Sequence, residues 1–275
     1  MKVLANSLPK SGTHLLMRLL DLAGFQTTKR GLAGSVARIS SWNPIRRRRI
    51  AMRLAEECEH GYCVDLDVPA NRVKAAWLQG YLNQLPDGSY MGGHVPYEEL
   101  LRVFLRIHQY RVLFIYRDPR DVLISLANYH MRDCKPFHKE FNRLTKSKRW
   151  EIALSGISKG SNVLSPLLDR LERAGGWLSD PSVCAIRFED LVGSRGGGDA
   201  ETQRKTIESI FSFLEIEVSS SRLDIIQNGI FSSDSKTFHK GMIGQWKDEM
   251  ETADLEWIEK QLGEQILRYG YKLAV

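Results

Sequence analysis

The chain lacks any apolar run near the roughly 20 residues needed to cross a bilayer, which excludes a membrane-spanning helix as its organising feature. It also lacks a secretory signal pattern: Lys2, Asn6, Ser7 and Pro9 interrupt the first nine residues. Cysteine is scarce. Cys58, Cys63, Cys134 and Cys184 are too scattered for a disulfide scaffold in 275 residues, so reduced thiols and a cytoplasmic location are expected. Cys58, His60 and Cys63 have no second close-spaced ligand pair, so no metal centre is expected. There is no Pro/Gly/Ser-rich linker near the middle, which favours one domain over residues 1–275. There is no repeat or low-complexity tract either, although Gly196-Gly197-Gly198 reads as a flexible loop. What is present is ample material for a core, 43% apolar residues, with 26% charged residues and a net charge of +6 that favours anionic ligands.

Periodicity predicts alternating strands and helices. Val3-Leu4-Ala5, Ser89-Tyr90-Met91-Gly92, Arg111 to Tyr116 and Val183 to Arg187 read as strands, the third with the continuous apolar character of a strand buried on both faces. Helical spacing runs through Leu15 to Leu20, Val73 to Leu85, Tyr97 to Gln109 and onward from Pro119, a residue suited to a first helical turn. A further helix is expected over much of Trp150 to Ala174, kinked at Pro166, and the remainder reads as mostly helical apart from a loop around Ser232 to Gln245. The stretch from Gln26 to Asn71 is polar, basic and unassigned, long enough to serve as a mobile cover. The pattern predicts an α/β fold with a central parallel sheet flanked by helices, and ligands at the carboxyl ends of its strands.

Two anion sites fall at those ends. Pro9-Lys10-Ser11-Gly12-Thr13 joins the first strand to a helix, whose unpaired N–H groups and positive dipole end suit a phosphate; Lys10 adds charge, and Ser11 and Thr13 add hydroxyls. A triphosphate loop ends in Gly-Lys-Ser/Thr, whereas here the lysine precedes the glycine, so a different phosphate-bearing nucleotide is expected. Arg117 closes the strand Arg111 to Tyr116, and Ser125 lies two turns into the next helix, a fork of donors plus a hydroxyl for a second phosphate. The competing reading is an Arg117–Asp121 ion pair that only caps the helix.

The Pro-Lys-Ser-Gly-Thr loop, the segment Arg117-Asp118-Pro119-Arg120-Asp121-Val122 with Ser125, and Phe238-His239-Lys240-Gly241-Met242-Ile243-Gly244-Gln245-Trp246-Lys247 together resemble the sulfotransferase signature. The order of the three covers nearly the whole chain. The resemblance implies a P-loop-like nucleotide-binding fold and the donor 3′-phosphoadenosine 5′-phosphosulfate (PAPS), with 3′,5′-ADP as product. It implies that Lys10, Ser11, Gly12, Thr13 and His14 hold the 5′-phosphosulfate. Arg117, Ser125, Lys240 and the Gly241 backbone would hold the 3′-phosphate. Phe188 and His239 would complete the nucleotide site, standing where the family has a frequent tyrosine and an arginine. His94, in Gly93-His94-Val95-Pro96, matches the family's catalytic histidine, while Gly92 replaces a lysine and Leu15 a tryptophan that stacks on adenine.

This chemistry explains the residue types. Lys10 would neutralise charge developing on the leaving phosphate, and His94 would take the acceptor's proton, since imidazole can be neutral near pH 7. Without the resemblance His94 also reads as a buried, hydrogen-bonded histidine. The implied partner is a small-molecule, sugar or lipid acceptor bearing a hydroxyl or, less so, an amine, and not nucleic acid. Arg46 to Arg49 reads as solvated surface or as a contact for an anionic acceptor, and Trp42, Trp77, Tyr81 and Phe137 as core or as acceptor lining. Two other functions share these residues: a P-loop kinase, which would need Mg²⁺ ligands and the Gly-Lys-Ser/Thr order, and a non-catalytic anion-binding module.

Overall fold

The computed structural model describes residues 1–27, 61–67, 72–133, 135–159, 162–231 and 241–274. Arg46 to Arg49, Trp42, Cys58, His60, Cys134, His239, Lys240 and most of the unassigned stretch lie outside the described residues. Five parallel strands form the central sheet: β1 (Lys2–Ser7), β2 (Gln26–Thr27), β3 (Ser89–Gly93), β4 (Tyr110–Tyr116) and β5 (Val183–Arg187), in the order β2-β3-β1-β4-β5. Alternate side chains of β1 and β4 enter different cores. Leu4, Val112 and Phe114 join one cluster, and Val3, Ala5, Leu113 and Ile115 the other. Both faces are therefore covered, which is why these strands are apolar runs and not alternating ones.

The first core is closed by α2 (Ala75–Asn83), α3 (Glu99–Ile107), α4 (Pro119–His130), α5 (His138–Asn142), α6 (Lys146–Ser155), α7 (Leu167–Ala174), and two late helices, α11 (Gln245–Glu249) and α12 (Thr252–Arg268). The second is closed by α1 (Thr13–Ala23), α8 (Phe188–Leu191), α9 (Ala200–Phe213) and α10 (Ser220–Gly229). No helix among the described residues is long and apolar enough to cross a membrane.

Two expectations need correction. The helix expected over Trp150 to Ala174 is two helices separated by a short antiparallel pair, Ile157–Lys159 with Asn162–Leu164. Gly156 ends α6 with φ +81°, and a Cβ there would lie 2.7 Å from the Leu164 carbonyl oxygen. Pro166 does not kink a helix but caps the start of α7, where its missing N–H costs nothing. The Gly196-Gly197-Gly198 segment is a packed turn: Gly196 is buried, and a Cβ on Gly198 would meet the Glu189 carbonyl oxygen at 2.9 Å. Its role is to let backbones touch. Ile243 N–H donates to the Gly196 carbonyl at 3.0 Å, which fastens the late glycine segment to the turn after α8.

Candidate active site

The register sets Asn6 beside Gly93 and Phe114, and Tyr116 beside Arg187, so the loops after β3, β1, β4 and β5 leave one edge of the sheet together. Each carries one group singled out in the sequence: His94, Lys10, Arg117 and Phe188.

After β1 the chain turns sharply. Lys10 has φ +71° and Gly12 φ +100°, both in the left-handed region, and Gly12 caps the start of α1. Only glycine fits at the second position. A Cβ would lie 2.6 Å from the Phe188 ring, and the backbone conformation itself disfavours a side chain. Ser11 is fully buried, and its hydroxyl has no hydrogen-bond partner. A buried orphan hydroxyl at a helix start fits an anion bound against it. Lys10 is held down to about 8, first by burial and then by Arg132, Lys135 and Arg117. His14, on the first turn of α1, is lowered first by burial and then by Lys10 and His94.

The loop and His94 meet through Ser7. Ser7 Oγ lies 2.7 Å from Thr13 Oγ1 and 3.0 Å from His94 Nδ1, and Nδ1 is also 3.0 Å from the Ser7 carbonyl oxygen. A carbonyl only accepts, so the proton is assigned to Nδ1, which leaves the Nε2 lone pair available. Asn6 fixes the segment that follows: its amide donates to the Val95 carbonyl at 3.0 Å and accepts from Val95 N–H at 2.8 Å. Neither Asn6 nor Ser7 stood out in the sequence. Their signal was polarity at the end of an otherwise apolar strand.

Arg117, just beyond β4, is 4% exposed. It donates to Asp121 Oδ2 at 2.9 Å and to the Met242 carbonyl, and its guanidinium sits 4.5 Å from the centre of the Phe188 ring. Its Nε has no hydrogen-bond partner. The ion pair of the competing reading therefore exists, and a donor remains beyond it. Asp121 is shared: it also accepts from Gly244 N–H at 2.8 Å and Trp246 N–H at 3.1 Å. Burial raises the Asp121 carboxyl, while Arg117 and the Trp246 amide oppose that rise. Through Asp121 the second motif grips the third, and Gly241, with φ +63°, directly precedes Met242, whose carbonyl accepts from Arg117. Ser125 is half-buried on α4, one turn beyond Asp121 on the same face.

Phe188, 5% exposed, adjoins both Gly12 and the Arg117 guanidinium, so one ring touches the turn after β1 and the arginine after β4. Gly92 leaves room for Met17, whose sulfur would lie 3.2 Å from an added Cβ. Leu15 is buried in the second core. Phe137 is buried core, and Trp77 and Tyr81 stack on each other against that core at 5.5 Å. A cleft of about 370 Å³ borders α4, α6 and α11, lined by Met131, Arg149 and Trp150 among others, and contains none of Lys10, His94 or Arg117.

The family model for the sulfotransferase domain matches residues 1–270. The chain belongs to the sulfotransferase family. Among sulfotransferases, the amine sulfotransferase of Oryctolagus cuniculus is 24% identical over 213 residues, 68% of this chain and 64% of that protein. Sulfotransferase 2A1 of Homo sapiens is 22% identical over 221 residues, 70% of each chain. The chain thus aligns with just under two thirds of the rabbit protein's length. Two solved structures share the fold: mouse sulfotransferase SULT7A1 complexed with PAP (TM-score 0.59, 18% identity, 97% of this chain and 84% of that one) and retinol dehydratase in complex with androsterone and inactive cofactor PAP (TM-score 0.57, 17% identity, 100% and 82%).

Proposed function

We propose that this sulfotransferase domain, a single unit over residues 1–275, transfers a sulfuryl group from PAPS to a hydroxyl acceptor and releases 3′,5′-ADP. The observation that carries the reading is the pair of buried, unpartnered donors, Ser11 Oγ and Arg117 Nε, at two adjacent strand ends, with Phe188 adjoining Gly12 and Arg117. Two anion sites that share one aromatic ring fit a nucleotide with phosphates at both ends. Lys10, Ser11, Gly12, Thr13 and His14 hold the 5′ end in this reading. Arg117, Ser125 and Gly241 hold the 3′-phosphate, and Phe188 completes the site. Lys240 and His239, outside the described residues, are assigned with the second group on the sequence resemblance.

The donor supplies an activated sulfuryl group. The new bond joins the acceptor oxygen to sulfur, the bond from sulfur to the leaving phosphate oxygen breaks, and the acceptor's proton passes to His94 Nε2. The Ser7 carbonyl keeps the other ring proton on Nδ1, so His94 presents a lone pair and not an N–H. Lys10 stabilises charge on the departing phosphate oxygen, as a preorganised cation does in phosphoryl transfer. PAP in the two solved structures and the names of the relatives support this donor. A small-molecule, sugar or lipid hydroxyl is the acceptor class. A cytoplasmic location fits the free thiol of Cys184.

The test is a calorimetric titration with 3′,5′-ADP against ADP and ATP with Mg²⁺. Preferential, metal-independent binding of 3′,5′-ADP is expected. A preference for ATP with Mg²⁺ would overturn the reading in favour of a kinase.

A further inference from the structure

Ser7, the last residue of β1, is fully buried, and its hydroxyl lies between the turn that opens α1 and the histidine after β3. Thr13 Oγ1 is 2.7 Å from Ser7 Oγ, His94 Nδ1 is 3.0 Å away and the Gly93 carbonyl oxygen 3.5 Å. A serine hydroxyl has one proton and two lone pairs, so its neighbours fix the direction of each bond. The Ser7 carbonyl oxygen, 3.0 Å from Nδ1, can only accept, which assigns a ring proton to Nδ1. Beside that proton, Ser7 Oγ is an acceptor. Its own proton has two oxygens left to choose from. Thr13 at 2.7 Å is at the usual O–H···O distance, whereas the Gly93 carbonyl at 3.5 Å is well beyond it. Ser7 therefore donates to Thr13, and Thr13, accepting from Ser7, keeps its own proton for another partner.

We propose that Ser7 is a positioning residue that couples the base to the leaving group. The chain runs from His94 Nδ1–H to Ser7 Oγ, from Ser7 O–H to Thr13 Oγ1, and from Thr13 O–H to a phosphate oxygen at the 5′ end of the donor. This rests on the sulfotransferase reading above. When Nε2 takes the acceptor's proton the imidazole becomes a cation, and its Nδ1–H becomes a stronger, charge-assisted donor. Each hydroxyl along the chain is polarised in turn, so the last one stabilises more of the charge collecting on the leaving oxygen. No proton travels along the chain: the acceptor's proton stays on Nε2, and the electron pair of the broken sulfur–oxygen bond stays with the phosphate. Proton removal at one end of the transfer and charge development at the other are thereby linked through two hydroxyls, and Ser7 acts only through its neighbours.

The test is NMR of the protein carrying ¹⁵N-labelled histidine, free and saturated with 3′,5′-ADP, with the His94 nitrogens read through the ring C–H protons. Neutral His94 is expected to carry its proton on Nδ1. Saturation with 3′,5′-ADP, whose 5′-phosphate accepts from Thr13 in this chain, should move the Nδ1 resonance. Ser7→Ala and Thr13→Val should each remove most of that movement, and Ser7→Thr, which keeps the hydroxyl, should retain it. Ser7→Ala removes one atom and leaves the Ser7 carbonyl with Nδ1, so the loss reads the hydroxyl and not the placement of the ring. Neutral His94 with its proton on Nε2, an Nδ1 resonance that ignores the nucleotide, or a response that survives either Ser7→Ala or Thr13→Val undiminished overturns the proposal. A protein that fails to bind 3′,5′-ADP at the outset overturns the sulfotransferase reading instead.

Discussion

Arg117 and Arg120 stand three residues apart in one motif, and both are almost wholly buried, yet their surroundings differ in kind. Arg120 is matched on every side. It donates to Asp118 Oδ1 and Oδ2 at 3.0 and 2.7 Å, pairs with Glu259 of α12, and lies 3.8 Å from the centre of the Trp246 ring. Arg117 has one carboxylate, Asp121, which it shares with two backbone amides, and it keeps an unpartnered Nε. Arg120 is thus saturated within the fold, whereas Arg117 keeps a donor free on the side of the Phe188 ring, as the proposed nucleotide site requires. The same contrast separates Lys10, surrounded by cations, from the carboxylate-paired arginines.

Replacing Arg120 by alanine should have the largest effect on folding. It removes the guanidinium that faces the buried Asp118 and Glu259 carboxylates, and breaking a buried ion pair of this kind costs about 3–5 kcal/mol, measurable by chemical denaturation. A loss below about 1 kcal/mol would erase the distinction between the two arginines. His94→Ala should lower turnover by at least about a hundredfold while 3′,5′-ADP still binds, because the histidine acts on the acceptor's proton and not on the nucleotide. Near-normal turnover would return His94 to a structural role beside Ser7. Arg117→Ala should weaken 3′,5′-ADP by about 1.5–3 kcal/mol in a calorimetric titration, with a smaller loss of stability than Arg120→Ala, since Asp121 retains the Gly244 and Trp246 amides. If the two substitutions exchanged effects, the assignment of ligand and architecture would be reversed.

The legible parts of the sequence were those whose surroundings are uniform. Leu113, Phe114 and Ile115 are buried on both faces of the sheet, so their run alone marked a strand, and Lys10, His94 and Arg117 could be placed because each ends one. Gly12 was legible as part of a motif; that its neighbour is Phe188, 176 positions away, was not, because the contact arises only when β1 and β5 are brought together by β4. Asn6 and Ser7 were passed over for the same reason, since their partners are at Val95 and His94. The Ile157–Lys159 and Asn162–Leu164 pair was read as helix because segments this short have no distinguishing period, and the glycine triplet was read as loose because composition does not tell a packed turn from a mobile one.

The smallest effect to be measured, and the one that tests the uncompensated side of the comparison most directly, is the pH dependence of nucleotide binding. Lys10 titrates near 8 in the free protein, against 10.5 for an ordinary lysine. Binding an anion requires the ammonium form, so affinity for 3′,5′-ADP should be level between about pH 7 and 8 and fall above that, by up to about tenfold per unit. The ligand does not supply this slope, because the second ionisation of a phosphate monoester is complete by then, its pKa being about 6. Loss of fold through Lys10 does not supply it either. Between about 8 and 10.5 the unfolded lysine binds more protons than the folded one, so the contribution of Lys10 to stability rises with pH across that window. Lys10→Arg, whose guanidinium does not titrate there, should flatten the profile. A slope that survives this substitution assigns the titration to another group.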